Sequence, residues 1–208
     1  MHKRVLFLSF TSLLFLLQTA SAQIIAKEDF EGNGTVNFWA GDGCDITVGL
    51  DNPFRDATNA SNKVLEYFDK GGLYANVRFD VSNNLNVQKG PVFKLKIYVP
   101  ASEITGNQNN QIALKLQDGN LAEPWSTQCE IIKPLKLDEW QEVSFDFVND
   151  AYNNLNANSL PPSQRTDFIR VVIQINGENN SDHVRAYIDD VEQMEGSEPE
   201  ESEFTKLI

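Results

Sequence analysis

Residues 92–99 alternate without a break: Phe93, Leu95, Ile97 and Val99 fall on one face, and Lys94, Lys96 and Tyr98 on the other. A period of two is the pattern of a strand with one face on a core and the other toward water. It recurs at 112–117, where Ile112, Leu114 and Leu116 oppose Ala113, Lys115 and Gln117, and at 143–148, where Val143, Phe145 and Phe147 oppose Ser144 and Asp146. Residues 168–176 and 185–194 read as two more strands, and 24–30, 45–49, 63–68 and 73–81 as earlier ones. Turn formers such as Asp51-Asn52-Pro53, Gly71-Gly72, Gly90-Pro91 and Asp118-Gly119-Asn120 separate them. Helical periodicity is almost absent; the one short helix expected, Ser163–Phe168, follows Pro161-Pro162. Many short, half-buried strands with polar turns predict an all-β fold, an antiparallel β-sandwich of the jelly-roll kind.

The first residues bear on compartment. Lys3 and Arg4 precede an apolar run from Val5 to Leu17, and Ala20-Ser21-Ala22 supplies the small residues of a cleavage site. Residues 1–22 therefore read as a secretory signal peptide, too short in its apolar part for a bilayer span. A single sandwich domain is expected over 23–195, and an acidic flexible tail over 196–208, where glutamates dominate and little apolar area exists to bury. The net charge is −13, and the leader carries no acid, so the remainder is more acidic still. Such a surface repels phosphate backbones and anionic lipid, so neither nucleic acid nor membrane insertion is expected, and it disfavours polyanionic glycans unless a local basic patch or a bridging cation intervenes. Cys44 and Cys129 either pair in an oxidising compartment or stay free thiols; the sequence leaves both open.

Several segments line up in order: Asp29-Phe30-Glu31-Gly32, Val48 to Pro53, Asn59 to Tyr67, Phe93 to Pro100, Ala113 to Gln117, Trp140 to Phe147, and Tyr187-Ile188-Asp189-Asp190-Val191. Over residues 28–194 this succession resembles the galactose-binding-like jelly rolls. More closely, it resembles carbohydrate-binding modules of families 4/9 and 22 and related modules of secreted polysaccharide-utilisation proteins of Gram-negative bacteria. The resemblance implies a polysaccharide or oligosaccharide as ligand, association with a glycan-degrading system, and a structural calcium ion (Ca2+) tying the first strand to the last. Glu31 and Asp190 are the metal ligands it implies first, with Asp189 and Asp29 as alternatives. Calcium takes six to eight hard oxygen ligands, which carboxylates and carbonyls supply.

Sugar binding requires flat apolar surfaces for C–H faces and polar groups for hydroxyls. Trp125, in a turn-rich loop, is the first candidate, with core packing as its alternative. Tyr74 and Arg78 share a strand face with Asn76 and form a second, polar-aromatic candidate. Tyr98, Lys96 and Lys94, then Lys115, Gln117, Gln174 and Asn176, suggest one polar outer sheet face, serving as platform or as plain wetted surface. Trp39, between Phe38 and Ala40-Gly41, is a candidate for a loop-built site, whereas Trp140 opens an alternating strand and reads as core.

Catalysis has less to work with. His183 is the one histidine after the leader, in a loop expected to be exposed, and no Gly-x-Ser-x-Gly elbow positions a nucleophile. Val171 to Asn176 faintly resembles the Q-I-H strand of jelly-roll alginate lyases, with Asn176 where that family has its catalytic histidine, and the closing Y-F-K-A-G segment of those lyases is missing. A secreted, non-catalytic polysaccharide-binding protein is the leading expectation. A polysaccharide lyase or glycoside hydrolase on the same fold is the alternative, since two carboxylates suffice for hydrolysis. A surface adhesion or scaffold domain is the third.

Overall fold

The computed structural model describes residues 24–194. The leader expected at 1–22 and the tail expected at 196–208 lie outside the described residues. The strands are β1 (Ile24–Glu28), β2 (Ala40–Asp42), β3 (Cys44–Asp51), β4 (Lys63–Lys70), β5 (Asn76–Asp80), β6 (Val92–Tyr98), β7 (Gln111–Gln117), β8 (Cys129–Pro134), β9 (Gln141–Asp146), β10 (Asn153–Asn154), β11 (Arg170–Ile175) and β12 (His183–Met194). One sheet runs β3-β4-β12-β6-β9, with β1 also on β12; the other runs β10-β8-β7-β11-β5-β2. The pairings are antiparallel, as half-buried alternation requires.

The inward sets face each other and make the core. Phe93, Leu95 and Ile97 of β6 and Leu114 and Leu116 of β7 are at most 1% exposed. Phe93 meets Phe147 edge-on at 5.8 Å and 85°, a favoured aromatic geometry. Truncating such a residue, Leu114→Ala for instance, costs about 2–5 kcal/mol through lost transfer energy plus the cavity left behind.

A bulge in β12 sets which residues point where. Asp190 has φ 45°, and the register with β6 shifts between Asp189 and Glu192. The extra residue lets Ile188 and Val191 both join the core while Asp189 points outward, an exchange that unbroken alternation forbids. On the outer face of this first sheet the loop after β3 folds down. Trp140 donates its indole N–H to the Phe54 carbonyl at 2.7 Å, and Phe54 stacks on Tyr98 at 4.2 Å and 11°. Trp140 is thus buried as expected, in a small cluster with Val64 and Tyr187 separate from the main core.

Four elements depart from the sequence expectations. β8 was not foreseen, because Ile132 breaks the pattern by pointing outward at 42% exposure and Pro134 ends the run. β2 and β10 are too short to carry a period. The helix expected at Ser163–Phe168 is only a 3-10 turn, Pro162–Gln164. Beyond it Arg165 bonds the Thr127 carbonyl and Asp167 and lies over the Phe168 ring at 4.0 Å, which holds the chain extended. Among the described residues, no helix is long and apolar enough to cross a membrane.

Candidate functional site

The outer face of the second sheet forms a cleft of about 1050 Å³. Its floor is built by outward positions of three neighbouring strands: Asn76 and Arg78 on β5, Arg170, Val172 and Gln174 on β11, and Lys115 and Gln117 on β7. Leu73 and Tyr74, before β5, form one wall; the loop between β7 and β8 forms the other. Tyr74 is 57% exposed and Trp125 is 54% exposed, so neither ring is packing material. Val77 lies level with Ile173 and Leu114, and Arg170 with Gln117 and Asp80. Tyr74 precedes this block and Trp125 follows it, so the two rings stand at diagonally opposite corners of the floor. At about 4.8 Å between strands and about 3.4 Å per residue along them, that diagonal is on the order of 20 Å.

Hydrogen bonds within the two walls hold both rings in place. Trp125 sits in the 3-10 turn Pro124–Thr127, where Gln128 N donates to the Trp125 carbonyl at 3.0 Å and Thr127 Oγ1 to the Pro124 carbonyl at 2.8 Å. Pro124 is buried and fixes φ at the start of the turn. The Tyr74 hydroxyl donates to Asn179 Oδ1 at 2.7 Å, which anchors the ring edge to the loop after β11.

The floor's charges are paired within the protein. Arg78 Nε meets Asp42 at 2.6 Å. Arg170 grips Asp80 with two bonds, of 2.6 and 2.8 Å, which hold the Asp80 carboxyl below the usual carboxylate range against the desolvation that opposes it. Lys115, with its side chain 3% exposed, bonds Glu178 and lies 3.3 Å from Glu130. The amides are differently placed. Gln117 donates to Gln128 Oε1 at 2.9 Å and Gln174 to the Ala75 carbonyl at 3.3 Å. Their own carboxamide oxygens have no partner among the described residues. The arrangement offers stacking planes and hydroxyl-binding amides. Its two lining carboxylates, Asp42 and Glu178, are already engaged to cations.

Of the sequence candidates, Trp125, Tyr74, Arg78 and Gln174 come together here, with Lys115 and Gln117. Tyr98 and Lys96 do not: β6 belongs to the first sheet, so they lie on the opposite outer face, Tyr98 under Phe54 and Lys96 paired with Asp190 at 2.8 Å. Trp39 is also elsewhere. It is 6% exposed, wedged between Phe30 (5.5 Å) and Phe79 (4.8 Å), because its side chain covers the end of the core beside β5. Asn176 is buried at φ 62° and stays out of the lining; His183 is exposed at the start of β12.

The calcium candidates are each engaged by protein donors. Glu31 accepts from the backbone amides of Asn62 (2.5 Å) and Lys63 (2.8 Å). Asp189 accepts from Asn59 Nδ2 and the Asp190 amide, both at 2.8 Å. Asp190 takes the Lys96 ammonium, and Asp29 caps its own turn through Glu31 N. Each carboxylate is turned on a different protein donor. Among the described residues no three acidic, histidine or cysteine side chains are grouped to hold a metal. The cysteines are free thiols: Cys44 Sγ donates to the Asn76 carbonyl at 3.2 Å, while Cys129 is in the core.

Cleft residues that the sequence did not single out are Arg170, Asp42, Glu178, Gln128, Leu121 and Leu155. Arg170 was within reach, since it shares parity with Val172 and Gln174 on an expected strand. Asp42 and Leu155 come from elements or loops whose sheet position only long-range pairing decides.

No protein-family model matches the sequence, and no curated protein matches it either. Solved structures do match in shape. A family 11 carbohydrate-binding module of a cellulosomal cellulase of Clostridium thermocellum has TM-score 0.55 at 13% identity, covering 88% of this chain and 99% of that one. The family 11 module of that organism in complex with a β-1,3-1,4-mixed-linked tetrasaccharide has TM-score 0.54 at 13% identity, covering 85% and 100%. A family 22 module with its catalytic module, from the Clostridium thermocellum xylanase 10B complexed with xylohexaose, has TM-score 0.50 at 16% identity; the chain is covered over 86% and spans 30% of that protein. Of a further structure, on the specificity of carbohydrate-binding modules of the β-sandwich superfamily, the chain spans 64%. The chain therefore has the β-sandwich fold of carbohydrate-binding modules. Family 22 is among the families that its sequence resembles; family 11 enters only with the structure.

Proposed function

We propose that this protein is a secreted, non-catalytic glycan-binding protein that seats a stretch of uncharged polysaccharide chain across the second sheet, between Tyr74 and Trp125. The observation that carries the reading is the pairing of two exposed rings at opposite corners of a floor rich in amides and guanidiniums. Pyranose C–H faces stack on such rings, and the carboxamide oxygens of Gln117 and Gln174 accept from hydroxyls. The two lining carboxylates, Asp42 and Glu178, are each engaged to a cation, Arg78 and Lys115, which supports binding over hydrolysis. Secretion rests on the leader read at residues 1–22. The cellulase and xylanase modules that share the fold support a place beside glycan-degrading enzymes.

Affinity electrophoresis against neutral β-glucans, xylans and mannans, with product analysis, tests the reading. Retardation without released sugar is expected. Released oligosaccharide instead assigns an enzyme, and neither retardation nor release assigns a scaffold.

A further inference from the structure

We infer that Asp42 and Glu178 set the charge selectivity of the cleft: by occupying Arg78 and Lys115 they keep uronic-acid chains out. The inference rests on the glycan-binding reading above. Three cations lie on the floor, a composition that by itself attracts carboxylate sugars. Each is matched within the sheet. Arg78 has Asp42 at 2.6 Å and Asp80 at 4.0 Å, Arg170 has Asp80, and Lys115 lies between Glu130 and Glu178. Four carboxylates thus face three cations, and a fifth negative group arriving on a ligand meets net repulsion.

The acids are not equivalent. Asp80 lies directly across from Arg170 and Glu130 directly across from Lys115 on neighbouring strands, and neither is among the lining residues. Asp42, on the edge strand β2, and Glu178, in the loop after β11, are themselves part of the cleft wall. Lining the cleft beside Arg78 and Lys115 and paired with them, they present negative charge where a carboxylate would have to approach those cations. Removing their charge while keeping their shape leaves both cations facing the ligand.

The test is an Asp42→Asn/Glu178→Gln double variant, titrated with β-1,4-glucuronan beside mixed-linked β-glucan, xylan and mannan. The control is Asp45→Asn/Asp51→Asn. It changes net charge by the same amount and frees Lys70 and Lys63 on the other sheet. The wild type is expected to bind a neutral glycan and not the glucuronan, and the cleft variant to gain about tenfold or more in glucuronan affinity, lost again at high salt. The control is expected to gain nothing comparable. Equal gains in both variants, no gain in a folded cleft variant, or glucuronan binding by the wild type overturns the inference while leaving glycan binding intact. Failure of the wild type to bind any neutral glycan overturns the reading beneath it. Thermal melts of both variants confirm folding.

Discussion

The Tyr74 hydroxyl and Asn179 Oδ1 lie 2.7 Å apart, and the Asn179 amide returns a bond to the Leu73 carbonyl at 2.8 Å. Two loops far apart in sequence are thereby tied into one wall of the cleft. Asn179 holds φ at 60°, a left-handed conformation that asparagine tolerates better than most residues. The ring supplies the stacking plane and the hydroxyl supplies its orientation, so the two contributions separate. Tyr74→Phe is expected to keep glycan affinity within about threefold, while Tyr74→Ala costs about 1–2 kcal/mol, about tenfold in Kd. Isothermal titration with the glycan that the wild type retains reads both. Equal losses in the two variants give the hydroxyl, not the ring, the larger part.

Trp125 offers a cleaner separation of binding from folding. Its turn is held by backbone and Thr127 bonds that do not involve the indole, and the residue as a whole is more than half exposed. Trp125→Ala is expected to weaken glycan binding about tenfold or more and to leave the melting temperature nearly unchanged. A fall in stability of core-truncation size makes the ring packing rather than platform.

How far the sequence reaches follows from the range of each interaction. Alternation is local, so the inward set of β6 and the outward set of β7 and β11 are legible residue by residue. Sheet membership is not local. Lys96 and Lys115 look alike in sequence, yet β6 pairs with β12 and β9 while β7 pairs with β11 and β8, which puts the two lysines on opposite outer faces. Tyr98 follows Lys96 for the same reason. Trp39 fails differently: it lies between Phe38 and Ala40-Gly41 with no alternation to place it, and only its contacts with Phe30 and Phe79 make it core. Trp125, with its turn signature, and Tyr74 with Arg78, at strand spacing, are legible because their settings are local.

The thiols make a prediction about redox state. Burial pushes both Cys44 and Cys129 up to about 12, with Asp69 adding to the effect at Cys44 and Arg165 opposing it at Cys129. Only the thiolate reacts readily. Native protein at pH 8 is expected to react slowly with a thiol reagent and to yield two thiols once unfolded in guanidinium. Reductant is expected to leave the melting temperature unchanged. Absence of titratable thiol after unfolding without reductant establishes a disulfide instead.

Calcium is tested by adding it back to chelated protein. An ion bound only by the folded state raises the melting temperature with concentration. Because Glu31, Asp189 and Asp190 are each turned on separate protein donors, no rise is expected. A saturable rise, abolished by Glu31→Gln, restores the site that the sequence resemblance implies.

Asp189 gives the fold a pH dependence of definite sign. The side chain is fully buried under the loop that carries Asn59, and burial pushes its carboxyl up to about 6. Bonds from Asn59, Ser61 and the Asp190 amide pull the other way, and the Asp190 charge adds to the rise. A folded-state value above the unfolded 3.8 means that the native state holds this proton more tightly. The penalty of burying the ionised group is therefore complete above about pH 6 and vanishes below about pH 4. Carboxylates held low, such as Asp80 and Asp167, act with the opposite sign and at lower pH, so the two effects overlap in raw melting curves. Comparison with Asp189→Asn, which does not titrate there, cancels them. The melting temperature of the wild type minus that of the variant is expected to climb as pH falls from 7 to 4. A difference that stays flat or shrinks across that window shows that Asp189 is ionised in the native fold throughout, stabilised by its three donors more than it is penalised by burial.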